Sequence, residues 1–201
     1  MAIAILDYGM GNLRSVARAI EHVGGSALVT SDPADALACD GLVVPGVGHF
    51  GACMRNLRER GLDAVVKEHD ASGRPVFGVC VGMQVLFEGS EEAPDVPGLG
   101  LLEGISRRLP SEVKVPHMGW NTVEWRTSHP FVRDVGNGAR FYFVHSFAPE
   151  PGASTLGVTE HGRPFAAAAA RDNVFATQFH PEKSGADGLS LYAAFVRSVA
   201  A

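Results

Sequence analysis

Residues 75–87 read PVFGVCVGMQVLF and contain the junction that decides the fold. The apolar run 75–79 predicts a buried strand, and the stretch 84–87 favours a helix directly after it. One glycine stands two residues before Cys80 and another two residues after it. Small residues at these positions let a strand turn sharply into a helix, because they avoid a collision between the two elements. We therefore predict an elbow with Cys80 at its apex, in a strained and exposed position.

The first half of the chain alternates strands with helices. Short apolar runs at 2–6, 27–29 and 42–44 predict three more buried strands, and apolar residues at helical spacing lie between them. Parallel strands need long crossover connections, which helices supply. The pattern therefore predicts an α/β fold with a central, mostly parallel sheet and flanking helices.

The second half of the chain follows a different pattern from about Leu99 onward. Strands are predicted within 120–125 and 140–147, and a hairpin is predicted around 172–173. The alanines at 166–170 fit two structures, because alanine favours a helix while the flanking turn and aromatic residues favour a strand. We expect this half to be more antiparallel than the first.

Composition and charge exclude several classes of protein. The 201 residues are 46% hydrophobic and 19% charged, without a linker or a repeat, which predicts one domain over 1–201. A net charge of -5 with no basic stripe argues against nucleic-acid binding. The first apolar run ends at Leu6, too early for a signal peptide or a membrane span. Three cysteines without a Cys-x-x-Cys pair predict neither disulfides nor a zinc ribbon, so we expect a cytoplasmic protein.

Cys80 is the candidate nucleophile. The start of a helix carries positive partial charge, which favours the reactive thiolate over the thiol. Free cysteines in proteins are more often small, buried hydrophobic residues than nucleophiles. We assign the buried hydrophobic role to Cys39 and Cys53. Only Cys80 stands between two glycines at the spacing that an elbow requires.

His180 and Glu182 are the candidates for the base and its orienting carboxylate. They follow the apolar run 174–176, so His180 is expected at the end of a strand. A carboxylate two residues on can fix the tautomer of the imidazole and stabilise its protonated form. The His-Pro-Glu sequence is similar to part of a zinc-deaminase motif, but the Pro-Cys-x-x-Cys partner is missing, and we predict no metal.

Two main-chain N–H groups are candidates for an oxyanion hole. The N–H of Val81 directly follows the nucleophile, and the glycine-rich loop 45–48 can supply a second donor at the end of a neighbouring strand. The glycines at 9 and 11 match a dinucleotide fingerprint poorly, because Arg14 occupies the place of the third glycine. No nucleotide or other cofactor is predicted.

Three motifs together resemble those of the class I glutamine amidotransferases, over essentially the whole chain: PGVG at 45–48, GVCVGMQ at 78–84 and QFHPE at 178–182. Within that class, four stretches are similar to the glutaminase subunits of imidazole glycerol phosphate synthases: DYGMGN at 7–12, KVPHMGWN at 114–121, YFVHS at 142–146 and HPEKS at 180–184. The resemblance implies a single-domain, flavodoxin-like fold.

The resemblance also implies an activity and a site. Cys80 would attack the side-chain amide of glutamine to form a glutamyl thioester, His180 would move protons, and Glu182 would orient His180. The Val47 and Val81 N–H groups are assigned to the oxyanion hole. The glutamine pocket would be lined by Gly48, Gln84, Glu92, His145, Ser146 and Phe147. Tyrosine is common in the family at Phe147, so a backbone contact would have to serve there.

The family works in pairs, which implies a partner for this chain. A (β/α)8-barrel cyclase would receive the ammonia and convert phosphoribulosyl-formimino-AICAR phosphate to imidazole glycerol phosphate and AICAR, in histidine biosynthesis. The implied interface residues are Asn12, Trp120, Tyr142 and Lys183. Trp120 and Tyr142 are equally well explained as core aromatic residues.

Two other functions fit the residues. The triad also suits a stand-alone cysteine hydrolase of γ-glutamyl or peptide bonds, which would not depend on a partner. A flavodoxin-like sheet can also serve as a non-catalytic binding module, since a fold does not fix a function.

Overall fold

The computed structural model describes all residues from Met1 to Ala201. Its six α-helices are α1 (Leu13–His22), α2 (Pro33–Leu37), α3 (Phe50–Glu59), α4 (Leu62–Ala71), α5 (Val81–Leu86) and α6 (Gly185–Val199), and a 3-10 turn spans Pro181–Lys183. Its strands are β1 (Ile3–Leu6), β2 (Ala27–Thr30), β3 (Gly41–Gly46), β4 (Val76–Cys80), β5 (Phe87–Ser90), β6 (Leu102–Arg108), β7 (His117–Thr122), β8 (Glu124–Trp125), β9 (Arg140–His145), β10 (Phe147–Pro149), β11 (Thr155–Glu160), β12 (Pro164–Arg171) and β13 (Val174–Thr177).

One eight-stranded sheet organises the molecule, in the order β2-β1-β3-β4-β13-β12-β11-β8. The first five strands in this order pair in parallel, and the remaining pairings are antiparallel. The predicted α/β fold, with a mostly parallel sheet and a more antiparallel C-terminal half, is confirmed. None of the helices is both long and apolar enough to cross a membrane.

Two smaller sheets accompany the large one. Strands β10, β6 and β5 form one, and the antiparallel pair β7 and β9 forms the other. In the β7–β9 pair, His117 lies opposite His145 and Trp120 lies opposite Tyr142. Because side chains alternate along a strand, the two pairs face opposite sides of this small sheet. His117 and His145 are buried, whereas Trp120 is exposed.

The structure decides the secondary structure of residues 166–170, which the sequence left open, and corrects that of Phe87. Residues 166–170 form the middle of β12, between β11 and β13, because pairing on both edges outweighs the helical preference of alanine. Phe87 begins β5 instead of continuing the helix after Cys80, so the helical prediction for Phe87 was wrong. Its side chain is buried, and α5 ends one residue earlier, at Leu86.

The parallel strands bring the predicted site segments to one edge of the large sheet. Strands β1, β3, β4 and β13 are neighbours, and they end at Leu6, Gly46, Cys80 and Thr177. Ligands of open α/β sheets bind outside the carboxyl ends of their strands. The segments that follow these four strands contain the predicted triad and the glycine-rich loop, so they meet where a ligand site is expected.

Candidate active site

The elbow at Cys80 has the strained backbone that the sequence predicts. Cys80 has φ 57° and ψ -115°, between the end of β4 and the start of α5. A residue other than glycine in such a region costs of the order of 1–3 kcal/mol. A Cβ atom at Gly82 would lie 1.8 Å from the carbonyl oxygen of Val44, and one at Gly78 would lie 2.7 Å from the carbonyl oxygen of Gly82. Both glycines are therefore required by the close approach of α5 to the sheet.

Replacing Gly82 by alanine is expected to lower the free energy of unfolding by about 3 kcal/mol or more, because the backbone carbonyl of Val44 cannot move away without disturbing β3. Urea denaturation measures this difference. Gly152→Ala is the matched control, since a Cβ at Gly152 meets no atom within 4 Å, and its effect should stay within about 0.5 kcal/mol. Equal stabilities for the two variants would contradict the close contact.

Cys80 lines a cleft. The sequence predicts an exposed position for this residue, and that prediction was wrong, because the structure buries it. Only 3% of Cys80 is accessible, and its sulfur lies 3.9 Å from the carbonyl oxygen of Val144 in β9 and 3.8 Å from Nε2 of Gln178. The cleft has a volume of about 260 Å³. All the residues predicted for catalysis, the oxyanion hole and glutamine binding line it, except Glu182. Pro116 and Val144 also line the cleft. Sequence reasoning gave these two no role, although both lie within the motifs at 114–121 and 142–146.

His180 and Glu182 form a buried pair beside the nucleophile. The Nδ1 atom of His180 lies 2.8 Å from Oε1 of Glu182, and their side chains are 2% and 1% exposed. Burial lowers the pKa of His180, but its interactions with the side chain of Cys80 and with Glu182 outweigh burial and raise this pKa to about 10. No hydrogen bond engages the Nε2 atom in this conformation. Nδ1 therefore donates to the carboxylate, and Nε2 is left to exchange protons with a ligand or with Cys80.

Ser184 holds the backbone around His180, a role that sequence reasoning missed. The N–H of His180 donates to the carbonyl of Tyr142 over 2.9 Å, and the N–H of Tyr142 donates to Oγ of Ser184 over 3.0 Å. The hydroxyl of Ser184 in turn donates to the carbonyl of His180 over 2.6 Å. This closed ring joins β9 to the candidate base. Its only sequence signal was the position of Ser184 at the end of the motif 180–184.

The glycine-rich loop lies directly beside the nucleophile. Gly46 pairs with Cys80 in the sheet, and the next residue, Val47, is 38% exposed at the cleft. The carbonyls on either side of Gly46 both accept hydrogen bonds. The hydroxyl of Tyr8 donates to the carbonyl of Pro45, and the thiol of Cys53 donates to the carbonyl of Val47 over 3.6 Å. The two predicted oxyanion donors, on Val47 and Val81, thus border the same cleft.

The other two cysteines are buried, as the sequence predicts. Both are free thiols, and burial raises the pKa of Cys53 to about 12 and also raises the pKa of Cys39. A raised pKa disfavours the thiolate, which is the reactive form. Neither thiol lines the cleft.

Hydrogen bonds hold the part of the cleft lined by Gln84, Glu92 and Phe147, which we call the far wall. The Nε2 group of Gln84 donates to the carbonyl of Phe147 over 2.9 Å and to Oε1 of Gln178 over 3.0 Å. The side-chain carbonyl oxygen of Gln84 is the group left to contact a ligand. Oε2 of Glu92 accepts from the N–H of Phe50 over 2.7 Å, at the start of α3. One carboxylate oxygen of Glu92 is thereby engaged, and the other can pair with a ligand cation.

Three of the four predicted interface residues lie close together outside the cleft. Trp120 is 50% exposed, and its ring lies 6.2 Å from that of Tyr142. Nζ of Lys183 lies 5.9 Å from the centre of the Tyr142 ring. Asn12 precedes α1, which packs against the 3-10 turn that carries Lys183. The exposure of Trp120 disagrees with its interpretation as a core residue.

The chain was compared with protein families and with individual proteins. Residues 4–198 match the family model described as glutamine amidotransferase class-I. The chain is 48% identical over 207 residues to imidazole glycerol phosphate synthase subunit HisH of Dechloromonas aromatica, covering 96% of this chain and 95% of that protein. It is 50% identical over 207 residues to the subunit of the same name from Aromatoleum aromaticum, covering 96% and 97%.

Solved structures share the fold at low sequence identity. A crystal structure of a glutamine amidotransferase has a TM-score of 0.75 and 22% identity, covering 99% of both chains. The structure of PurLQS from Thermotoga maritima has a TM-score of 0.76 and 19% identity, covering 98% of this chain and 97% of the other.

Proposed function

Because the chain belongs to the class-I glutamine amidotransferases and, among them, to the HisH subunits of imidazole glycerol phosphate synthase, we propose that it hydrolyses glutamine and passes the ammonia to a cyclase subunit. One observation carries the proposal: Cys80 and His180 line a single cleft together with all the predicted glutamine contacts, and Glu182 pairs with His180. We further propose that the whole chain, 1–201, acts as one cytoplasmic domain without a cofactor or a metal.

The reaction begins with Cys80. In the reactive state, the proton shared by Cys80 and His180 lies on His180, and the thiolate of Cys80 attacks the side-chain carbonyl carbon of glutamine. The carbon–nitrogen bond breaks, the nitrogen takes a proton from Nε2 of His180, and ammonia leaves. A glutamyl thioester remains on Cys80.

Water completes the cycle. Nε2 of His180, now without its proton, accepts one from the water that attacks the thioester carbon. The carbon–sulfur bond breaks, which releases glutamate and restores the thiolate. Glu182 keeps the proton of the imidazole on Nδ1 and stabilises the charged ring, because its carboxylate lies 2.8 Å away.

Both steps pass through a negatively charged oxygen. The N–H groups of Val81 and Val47 are the proposed donors to this oxyanion, the first from the start of α5 and the second from the loop after β3. The carbonyls of Pro45 and Val47 are tied to Tyr8 and Cys53, which limits the motion of this loop to the peptides between its two anchors.

The walls of the cleft select an amino acid with an amide side chain. The free carboxylate oxygen of Glu92 suits the α-ammonium group of glutamine. The backbone of Gly48, Ser146 and Phe147 and the carbonyl of Gln84 supply further polar contacts. The aromatic residue at 147 is phenylalanine and provides no hydroxyl, so its contact is assigned to the backbone.

The proposed partner surface combines one face of β7 and β9 with the neighbouring 3-10 turn and the start of α1. We propose that Trp120, Tyr142, Lys183 and Asn12 contact a (β/α)8-barrel cyclase, which uses ammonia to form imidazole glycerol phosphate and AICAR from phosphoribulosyl-formimino-AICAR phosphate. Tyr142 supports this assignment, because its backbone bonds to His180 while its ring lies beside Trp120. Direct transfer protects ammonia from protonation in bulk water, which would remove its reactive lone pair.

A glutaminase assay with and without the candidate cyclase and its nucleotide substrate tests this function. We expect glutamate formation to rise severalfold in the complex with ligand, and γ-glutamyl peptides to be poor substrates. Equal turnover by the isolated chain would favour a stand-alone hydrolase. Absence of glutamate under every condition would favour a non-catalytic module.

A further inference from the structure

A row of hydrogen bonds runs behind the far wall of the cleft. Nδ2 of Asn121 lies 3.3 Å from Nε2 of His117, and Nδ1 of His117 lies 3.0 Å from Nε2 of His145. Nδ1 of His145 lies 2.9 Å from the carbonyl oxygen of Phe147. His145 and Phe147 line the cleft, whereas His117 and Asn121 do not. The row therefore connects two residues of β7, His117 and Asn121, to His145 and Phe147 in the wall of the cleft.

Each proton in this row has only one possible place. The carbonyl of Phe147 can only accept, so Nδ1 of His145 carries the proton and its Nε2 must accept. Nδ1 of His117 must then donate, which leaves its Nε2 to accept from Asn121. The amide of Asn121 is oriented for this, because its Oδ1 accepts from the N–H of Thr122 over 2.8 Å and its Nδ2 also donates to the carbonyl of Glu160 over 3.0 Å.

Both imidazoles in the row are neutral. Burial, together with the neighbouring His161, lowers the pKa of His117 to about 4. Burial, and after it the interaction with His117, lowers the pKa of His145 to about 3. His180 adds a smaller effect in the same direction on His145. A second proton on Nε2 of His145 would face the N–H at Nδ1 of His117, and a second proton on Nε2 of His117 would face the amide N–H of Asn121, so the row requires the neutral tautomers.

Aromatic side chains pack around the two histidines. The ring of His117 stacks on that of His161 with centres 4.2 Å apart and on that of Phe143 with centres 4.9 Å apart. The ring of His145 meets the edge of Phe165 at 4.9 Å. Both histidines are buried. This packing restricts the planes of the rings, and the hydrogen bonds decide which nitrogen of each ring faces which partner.

We propose that His117 is a positioning residue for glutamine: without touching the ligand, it holds the orientation of His145 through the hydrogen bond to Nε2, and through His145 the peptide of Phe147 in the cleft wall. The inference rests on the proposed function, because it concerns binding of the same substrate. Without the donor at His117, the buried Nε2 of His145 has no partner, and the ring is held only by the bond from its Nδ1 to the carbonyl of Phe147. The wall then spends less time in the geometry that binds glutamine.

Three variants of His117 separate positioning from simple support of the fold. In His117→Asn, the side-chain nitrogen can occupy the place of Nδ1 and still donate to His145. In His117→Gln, the amide reaches the place of Nε2 instead, and His117→Phe keeps the ring without any donor. For the assembled complex, we expect the KM for glutamine to rise about tenfold in the Gln and Phe variants, with kcat within about twofold, and to return close to its original value in the Asn variant.

The tautomer of His145 gives an independent measurement on the unaltered protein. Nitrogen-15 NMR should show a protonated Nδ1 and an unprotonated Nε2 that accepts a hydrogen bond, and the Gln and Phe variants should shift the Nε2 resonance toward that of an unbonded nitrogen. An unchanged KM in all variants, equal damage by the Asn and Gln variants, or a proton on Nε2 of His145 would overturn the inference. If the unaltered complex releases no glutamate, the proposed function itself is wrong, whereas the NMR result does not depend on turnover.

Discussion

Replacing Cys80 by alanine is expected to abolish glutamine-dependent synthesis by the complex while ammonia-dependent synthesis continues. The expected loss of the glutamine-dependent rate exceeds about 10⁴-fold, because no other side chain at the cleft can form the thioester. Added ammonia bypasses the step that Cys80 performs and needs only the partner subunit. Parallel assays of the two nitrogen sources, with the same complex, measure the separation.

Cys39→Ala is the matched control for this experiment. Cys39 is also a buried free thiol, but it does not line the cleft, and its side chain makes a single hydrogen bond, from Sγ to the carbonyl of Asp35 over 3.4 Å. Its glutamine-dependent rate should stay near that of the unaltered complex. If Cys80→Ala lost both activities, Cys80 would instead support folding or assembly.

His180→Ala and Glu182→Gln are expected to differ in severity. Removing His180 removes the group that moves protons, and comparable replacements in a serine protease cost about 10⁶-fold, against about 10⁴-fold for the orienting acid. Glutamine at 182 can still accept from Nδ1 of His180 through its carbonyl oxygen, although without the charge that stabilises the imidazolium. We therefore expect Glu182→Gln to retain roughly tenfold to hundredfold more activity than His180→Ala.

Single-turnover measurement of glutamate release by each complex compares the two variants. His180→Ala removes a buried side chain, so thermal unfolding of both variants serves as the control for stability. Comparable rates for the two variants would show that orientation by Glu182 matters as much as proton transfer by His180.

Local spacing was sufficient to predict the fold class and the elbow. The two glycines around Cys80 signal the sharp turn directly, and the structure shows why, since neither position has room for a Cβ atom. The carboxyl ends of the parallel strands then bring Cys80 and His180 to one edge without further information. The glutamine contacts and the partner surface came from the family resemblance, and not from spacing.

Features that depend on pairing between distant strands could not be predicted. His117 and His145 meet because β7 and β9 pair in one particular register, which the sequence of either strand leaves open. The burial of Cys80 depends on β9, whose Val144 carbonyl lies 3.9 Å from the sulfur. The strand at 166–170 is likewise fixed by its two neighbours, since alanine alone favours a helix.

Labelling of the assembled complex with a glutamine-derived electrophile, followed by peptide mass mapping, tests the central claim that the Cys80 sulfur attacks glutamine at this cleft. We expect one adduct per chain, on Cys80, with Cys39 and Cys53 unmodified and with protection by excess glutamine. A label on either of the other cysteines, or continued glutamate release with Cys80 fully modified, would contradict this expectation.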